Sequence, residues 1–212
     1  MKRIITLLLA AAMCLSLAAC GGTNPAGSAA AAENPFKDAA VGDEIVFGHY
    51  NGDLVWTVLD VQEDHAVVLC NSAVAPKKND SVGSKWHTSG MLANLNLLAK
   101  YMFTDEQKAL TMNPILDGEE SKGYMFLLSS EEVEQYMPGE DNELRLATVP
   151  EAVIDAGVET YENAMGTAAY CNWILRDGAW VGGQMGNAGQ IINTTEQKYD
   201  YAIRPAMWVR LP

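Results

Sequence analysis

"EIVFGHYNGDLVWTVLDV", residues 44–61, decides the fold class of this chain. Two runs rich in β-branched and aromatic residues flank the turn Asn51-Gly52-Asp53. Asn-Gly between such runs is a strong hairpin signal, because both residues tolerate the positive φ that a tight turn requires. A third apolar run, "AVVLC" at 66–70, follows the polar break "QEDH". The segment therefore predicts an antiparallel meander of strands.

The middle of the chain has helical periodicity. Apolar residues recur at helical spacing at Met91, Leu92, Leu95 and Leu98. Polar capping residues predict three further helix starts: Thr104 with Gln107, Ser129 with Glu132 before a stop near 137–139, and Thr148 with Pro150 and Glu151 before a stop at Gly157. Between these helices, "YMFLL" at 124–128 predicts a buried strand.

The C-terminal part returns to strands. "CNWILRDGAWV" at 171–181 predicts a strand with a turn at Asp177-Gly178, and the glycine-rich "GGQMGNAG" at 182–189 separates it from "QIIN". The closing segment predicts one more strand, with Ile203, Met207 and Val209 on one face and Arg204, Ala206, Trp208 and Arg210 on the other. Because Pro205 cannot donate a ladder hydrogen bond, we expect an edge strand or a bulge there. The order of strands, helices and strands predicts the α+β class.

Residues 1–20, "MKRIITLLLAAAMCLSLAAC", have the basic start, short apolar run and small residues of a secretory signal. The ending Leu17-Ala18-Ala19-Cys20 resembles the lipobox of bacterial lipoproteins, whose cysteine is acylated and becomes the first mature residue; an ordinary secretory signal is the alternative. We therefore expect a lipoprotein signal peptide at 1–19, a lipidated N-terminus and flexible tether at 20–35, and a single domain at 36–212. The protein would be anchored through Cys20 to the outer face of the cytoplasmic membrane.

Acidic residues outnumber basic ones, 27 to 14, which gives a net charge of −13. Loss of residues 1–19 would remove Lys2 and Arg3 and no acidic residue, so 12 basic against 27 acidic residues would leave −15. This charge repels phosphate backbones, and we expect no nucleic-acid partner.

Two cysteines, Cys70 and Cys171, remain in the predicted domain, each within an apolar stretch. We favour two separate core thiols, with a disulfide between them as the alternative.

No sequence signature of catalysis or metal binding is evident. Nucleophile elbows, zinc-protease motifs and phosphate loops are lacking, and the histidines at 49, 65 and 87 lie far apart. We interpret these histidines as surface or capping residues. The carboxylates at 119–120 and 140–143 could hold calcium, but we favour a solvated acidic face. We expect no metal site and no cofactor.

The stretch from Trp180 to Tyr201 is the predicted ligand site. It combines amide side chains with aromatic ones, a composition that suits a neutral polar ligand such as a glycan or a peptide. The candidate binding residues are Trp180, Gln184, Asn187, Gln190, Tyr199 and Tyr201. The alternative is a hairpin whose glycines form turns and whose aromatic residues pack in the core.

Several of these motifs together resemble the bacterial family known as domain of unknown function 6273, found on secreted and surface proteins. They are "VGDEIVFGHY", "VWTVLDV", "FTDEQKAL", "YMFLLSSEEVEQY", "NWILRDG" and "IRPAMWVRL". The resemblance implies a C-type-lectin-like fold, with a small antiparallel sheet, two or more flanking helices and long loops. Arg176, Arg204 and Trp208 fall in these motifs, and we interpret them as structural, with each arginine a planar fork of donors for loop carbonyls or a carboxylate.

These observations favour a non-catalytic surface lipoprotein whose domain binds an extracellular glycan or peptide. A structural envelope protein without a small ligand is the first alternative. The second is a cysteine-dependent copper oxidase, since the oxidases that make formylglycine share a related fold; Cys70 and Cys171 are the thiols that could serve.

Overall fold

The computed structural model describes residues 33–77, 85–162, 169–193 and 201–212, which belong to one compact unit. Cys20, most of the predicted tether and Tyr199 lie outside the described residues. The strands are β1 (Glu44–His49), β2 (Asp53–Val61), β3 (His65–Cys70), β4 (Ala75–Pro76), β5 (Thr111–Met112), β6 (Ile115–Leu116), β7 (Glu119–Glu120), β8 (Ala147–Thr148), β9 (Tyr161–Glu162), β10 (Ala169–Cys171), β11 (Trp173–Ile174), β12 (Trp180–Val181), β13 (Ile191–Ile192), β14 (Ala202–Ile203) and β15 (Ala206–Arg210). The helices are α1 (Gly90–Met102), α2 (Asp105–Leu110), α3 (Ser130–Tyr136) and α4 (Glu151–Asp155), with 3₁₀ turns at Trp86–Thr88 and Glu143–Arg145.

The main sheet is antiparallel and has the strand order β1-β2-β3-β15-β5. The predicted hairpin joins β1 to β2, and its turn residues Asn51 and Gly52 have φ values of 55° and 138°. The three-stranded meander predicted from the sequence is therefore confirmed. The first and last long strands of the described chain lie in this one sheet.

The closing segment differs from its prediction. It divides at Arg204-Pro205 into β14 and β15, which belong to different sheets. Of the two expectations, an edge strand or a bulge at Pro205, the edge strand is wrong because β15 lies between β3 and β5. Pro205 causes no loss of a ladder bond because it stands at the crossing point, where its carbonyl still accepts from the Cys70 N–H at 2.9 Å. The crossing also buries Arg204 and Ala206, which were expected on the outer face.

The second sheet has the order β13-β12-β11-β14-β4, and smaller sheets join β8-β10-β9 and β6-β7. Most pairs are antiparallel, whereas β11 and β14 run parallel. The predicted turn at Asp177-Gly178 joins β11 to β12, with Gly178 at a φ of 91°. With helices between the groups of strands, the fold is α+β, as the sequence predicts.

The helices begin as their capping residues predict, with one exception. Ser89 caps α1, whose buried residues are Met91, Leu92, Leu95, Leu98, Ala99 and Met102. Reciprocal capping boxes start α2 at Thr104 and α3 at Ser129. Helix α4 starts at the predicted Pro150-Glu151 and ends before Gly157, but Thr148 does not cap it because Thr148 lies in strand β8. Within the described residues, none of the helices has the length and apolarity needed to cross a bilayer.

The core between the main sheet and α1 is aromatic. Phe47 contacts Phe36 and Phe103, with ring centroids 5.1 Å and 5.4 Å apart, and the Trp56 indole donates to the Phe47 carbonyl at 2.7 Å. The segment 124–128 is largely buried as predicted, but it forms only an isolated bridge between Phe126 and Ala206 and not a strand.

Candidate ligand-binding cleft

A cleft of about 790 Å³ opens beside the 3₁₀ turn Trp86–Thr88. Its other walls are the β6–β7 turn and the residues next to the Asp177-Gly178 turn. The lining residues are Lys85, Trp86, His87, Thr88, Asp117, Glu119, Ser129, Arg176 and Asp177. This volume falls within the range of small-molecule binding sites, roughly 300–1,000 Å³.

Arg176 fixes the geometry of the cleft wall. Its guanidinium donates to the Leu127 carbonyl at 2.8 Å and to both carboxylate oxygens of Glu132 at 2.8 and 3.2 Å. It also donates to both oxygens of Asp117, at 3.1 and 3.3 Å. Burial by itself would lower the pKa of Arg176, but the bonds to Glu132 and Asp117 raise it above the usual value. One buried arginine thus ties α3 to the β6–β7 hairpin.

Asp117 stands on the rim of the cleft in a two-residue turn. Asp117 and Gly118 have φ values of 54° and 84°, as the tight connection between β6 and β7 requires. The Asp117 side chain is 62% exposed even though Arg176 holds both of its oxygens. It therefore presents a fixed carboxylate to solvent.

His87 lines the cleft through a half-buried imidazole. Its Nε2 lies 3.2 Å from the Leu116 carbonyl oxygen and 3.8 Å from a carboxylate oxygen of Glu119. The carbonyl can only accept, which places a proton on Nε2, so in the neutral ring Nδ1 is an acceptor. This Nδ1 is buried and has no hydrogen-bond partner in the described part of the chain.

The third carboxylate, Asp177, closes the far side of the cleft. One of its oxygens accepts the Ser130 N–H at 2.8 Å and the other accepts the Ala179 N–H at 3.2 Å. The first bond joins the turn after β11 to the start of α3, and the second lies within that turn. Each oxygen keeps a free lone pair, since a carboxylate has about four acceptor positions.

Residues 180–192 of the predicted ligand segment form a tightly packed hairpin of β12 and β13. Trp180 and Tyr201 stack with centroids 5.0 Å apart, while Gln184 is exposed and Gln190 donates to Glu140 at 3.2 Å. The indole N–H of Trp180 and the side-chain oxygen of Asn187 are buried without partners among the described residues. Trp180 and Tyr201 are thus brought together, but neither is among the residues that line the cleft, and these binding assignments stay predictions.

Glycines in this hairpin stand where backbone segments touch. A Cβ on Gly182 would overlap the Asn187 carbonyl, one on Gly183 the Cys171 carbonyl, and one on Gly189 the Glu140 carbonyl. The loop also closes on itself, because Gly182 exchanges backbone hydrogen bonds with Gln190 and Gly189. This arrangement matches the alternative interpretation of the segment, in which the glycines serve the hairpin.

The residues expected to be structural lie in three places. Arg176 forms the cleft wall. Arg204 is 1% exposed, donates to the carbonyls of Cys70 and Leu144 at 2.7 and 2.6 Å, and lies 5.1 Å from the Trp173 ring centroid. Trp208 stacks on His65 on the outer side of the main sheet, with centroids 4.0 Å apart.

Both thiols of the domain are free and buried. Burial raises the pKa of Cys70 to about 11 and that of Cys171 to about 12. The favoured prediction of two separate core thiols is therefore confirmed.

Sequence reasoning missed the cleft itself. It interpreted His87 as a surface or capping residue, Glu119 as part of a solvated acidic face, and Asp177 only as a turn residue. A usable signal was present, since Asp117-Gly118 and Asp177-Gly178 are both Asp-Gly turns that display a carboxylate. The sequence does not show that these two turns lie close together. The hydrogen bonds from Arg176 to Asp117 bring them together across 59 residues of chain.

Comparison with known sequences gives one match. The profile of a family described as "Domain of unknown function (DUF6273)" matches residues 62–211, which is more than half of the chain. No curated protein matches the chain significantly. No solved structure does so either.

Proposed function

Since the chain belongs to the DUF6273 family, whose description names no activity, we propose a function from the molecule's own cleft. The protein is a non-catalytic binding module that is anchored by lipid at Cys20 to the outer face of the bacterial cytoplasmic membrane. It holds an extracellular ligand, a glycan or a peptide segment, in the cleft beside His87 and Arg176.

The observation that carries this proposal is the construction of the cleft wall. Arg176 is fixed by hydrogen bonds to three other residues, and it holds Asp117 at the rim. Asp177 is fixed by two backbone N–H groups. Polar groups that are held in place before a ligand arrives bind it with a smaller entropic cost, which is how binding sites are commonly built.

The state of the thiols supports binding over oxidase chemistry. A thiol acts as a nucleophile or copper ligand in its thiolate form. Burial raises the pKa of Cys70 to about 11 and that of Cys171 to about 12, so both thiols are protonated at neutral pH. Neither thiol is among the residues that line the cleft.

The C-type-lectin-like form of the fold belongs to the same proposal. It is supported by the resemblance of the sequence motifs and by the main sheet, in which β1, β2 and β3 from one end of the domain join β15 from the other. The long connection between these strands carries the helices and the cleft. Binding residues of such domains are expected on loops held by a rigid sheet.

A ligand screen on the purified full chain tests the proposal. Glycans and peptides are screened by thermal shift, and each hit is titrated by calorimetry against wild type, His87→Gln and Glu119→Gln. We expect each substitution to weaken binding about three-fold or more, because His87→Gln moves the donor and acceptor atoms of the imidazole and Glu119→Gln replaces a carboxylate by a neutral amide. Glu159→Gln is the matched control, since Glu159 is an exposed carboxylate that does not line the cleft.

Two results would contradict the cleft as the site. One is a ligand whose affinity is unchanged in both cleft variants. The other is a ligand that loses affinity only with Trp180→Ala or Asn187→Ala, which would place binding on the β12–β13 hairpin.

A further inference from the structure

We infer that the cleft recognises its ligand through a positively charged nitrogen, the primary ammonium group of an amino sugar in a glycan or of a lysine side chain in a peptide. This inference rests on the proposed function and adds the chemical class of the ligand. It follows from which charges in the cleft are accessible and which are already engaged.

The accessible charge of the cleft is negative. The side chains of Asp117 and Glu119 are 62% and 75% exposed, and Asp177 is also exposed. Arg176 contributes little to the surface because its side chain is only 5% exposed and because it is bonded to two carboxylates. Among the described lining residues, Lys85 is the only other cation. Arg176 compensates the charge of Asp117, and the remaining accessible charges that line the cleft are the carboxylates of Glu119 and Asp177 and the one ammonium group of Lys85.

The hydrogen-bonding groups of the cleft also favour a cationic ligand, because the carboxylates offer free acceptor positions. Asp117 receives two bonds from Arg176, and Asp177 receives two from backbone N–H groups, so each retains unoccupied lone pairs. Glu119 lines the cleft, with a carboxylate oxygen 3.8 Å from Nε2 of His87. A carboxylate can only accept hydrogen bonds, and an ammonium group offers three donors and a complementary charge.

The arrangement suits an organic cation in preference to a metal ion. Metal sites need several ligand atoms within about 2–2.6 Å of one point. The described residues contain no group of three or more histidine, cysteine, aspartate or glutamate side chains placed to hold a metal ion. Asp117 and Glu119 lie on the β6–β7 hairpin, whereas Asp177 lies on another wall of the cleft of about 790 Å³.

A matched set of small probes tests the inference on the purified full chain. Glucosamine, N-acetylglucosamine and glucose differ at one position of the same ring, and only glucosamine carries an ammonium group. Nα-acetyl-lysine amide presents the same group on a peptide-like frame, and calcium chloride is the metal arm. We expect calorimetry or ligand-observed NMR to detect binding of at least one ammonium-bearing probe and of neither uncharged sugar.

Two substitutions of opposite sign make the test sharp. Glu119→Gln should weaken binding of the ammonium probe about two- to five-fold, because it removes an attractive charge. Lys85→Ala should strengthen binding by a similar factor, because it removes the like charge. Glu159→Gln should change neither value, and raising the salt concentration should weaken binding in wild type.

The outcomes separate this inference from the proposed function. Binding of an anionic or neutral ligand in the cleft that Lys85→Ala weakens would overturn the inference and leave the proposed function standing. Tight calcium binding that Glu119→Gln abolishes would also overturn it, in favour of a metal site. Failure of the proposed function would instead appear as ligands that are insensitive to every cleft substitution.

Discussion

Arg204 places a guanidinium in the protein interior, held by two backbone carbonyls and an indole face. Burial lowers the pKa of Arg204 to about 10, which still leaves it protonated at neutral pH. Its hydrogen bonds join the end of β3 to the 3₁₀ turn Glu143–Arg145. The neighbouring Arg145 acts similarly, since it donates to the Met137 and Gly189 carbonyls and to Glu134. The two buried arginines thus donate to backbone carbonyls of turns, loops and a strand end.

Replacing Arg204 should cost much more stability than replacing an exposed arginine on the same segment. Arg204→Ala leaves two buried carbonyls without donors and opens a cavity, so we expect a loss of about 3 kcal/mol in the free energy of unfolding. Arg210→Ala is the control, because Arg210 is exposed at the end of β15, and it should cost less than about 0.5 kcal/mol. Urea denaturation measures both. Equal losses for the two variants would show that the Arg204 contacts contribute nothing specific.

The buried thiols predict a loss of stability at alkaline pH. Burial raises the pKa of Cys70 and Cys171 from 9.0 to about 11 and about 12. A group whose pKa is raised by folding stabilises the protein fully below its unfolded pKa, and this stabilisation is lost as pH rises. Between pH 9 and 10 the unfolded thiols ionise while the folded ones stay protonated, at a cost of about 1 kcal/mol for each thiol.

Denaturation in reducing buffer at pH 7.5, 9 and 10 checks this slope. The control is the double variant Cys70→Ala with Cys171→Ala, whose stability should change less between pH 9 and 10 whatever its starting value. An identical pH dependence in the two proteins would show that the thiols ionise equally well in the folded state.

At the scale of elements, the short β12–β13 hairpin is held by backbone contacts of its loop, which strand propensities do not predict. Its strands pair over only two residues each, at Trp180–Ile192 and Val181–Ile191. The connecting loop is instead held against the turn after α3, because Gly189 lies directly on the Glu140 carbonyl and Arg145 bonds the Gly189 carbonyl. Backbone contact, and not ladder length, fixes this element.

Two glycines of this loop give a matched test. Both have positive φ, 76° at Gly189 and 101° at Gly186, but a Cβ meets the Glu140 carbonyl at Gly189 and open space at Gly186. Gly186→Ala should therefore show only the conformational cost, about 1 kcal/mol. Gly189→Ala should add a steric cost and lose about 3 kcal/mol or more. Thermal melts that rank the two variants equally would contradict this packing.

For the whole molecule, the net charge and the predicted membrane anchor would determine which ligands reach the cleft. A net charge of −13 disfavours approach to other anionic surfaces and attracts cations to the cleft. The predicted tether from Cys20 to residue 35 would let the domain stand clear of the membrane that the predicted lipid would enter. The cleft would then be open to the extracellular medium.

Cys20→Ala tests the anchor at this scale. The substitution removes the predicted acyl acceptor, so metabolic labelling with a fatty-acid probe should lose its signal and the protein should leave the membrane fraction. Cys14→Ala is the control, since Cys14 lies within the segment predicted to be cleaved, and it should be labelled like wild type. Persistent labelling of Cys20→Ala would exclude lipidation at this residue.

The sequence by itself determined the features that local chemistry controls. Asn51-Gly52 fixed the first hairpin, and the capping boxes at Thr104 and Ser129 fixed two helix starts, because turns and caps are made by residues near one another in the chain. Alternation and apolar content likewise located the core strands and the buried thiols. The finer match to a family rests on the same motifs.

Only the tertiary structure decided the features that join distant residues. The division of the closing strand at Pro205, the burial of Arg204 and the cleft formed by His87, Asp117 and Asp177 all depend on contacts across tens of residues. Hydrogen bonds from a guanidinium to carbonyls and carboxylates have no local sequence pattern, since any element brought close enough can supply the acceptor. For that reason Arg176 could be assigned a structural role from its motif, whereas its part in building the cleft followed only from the fold.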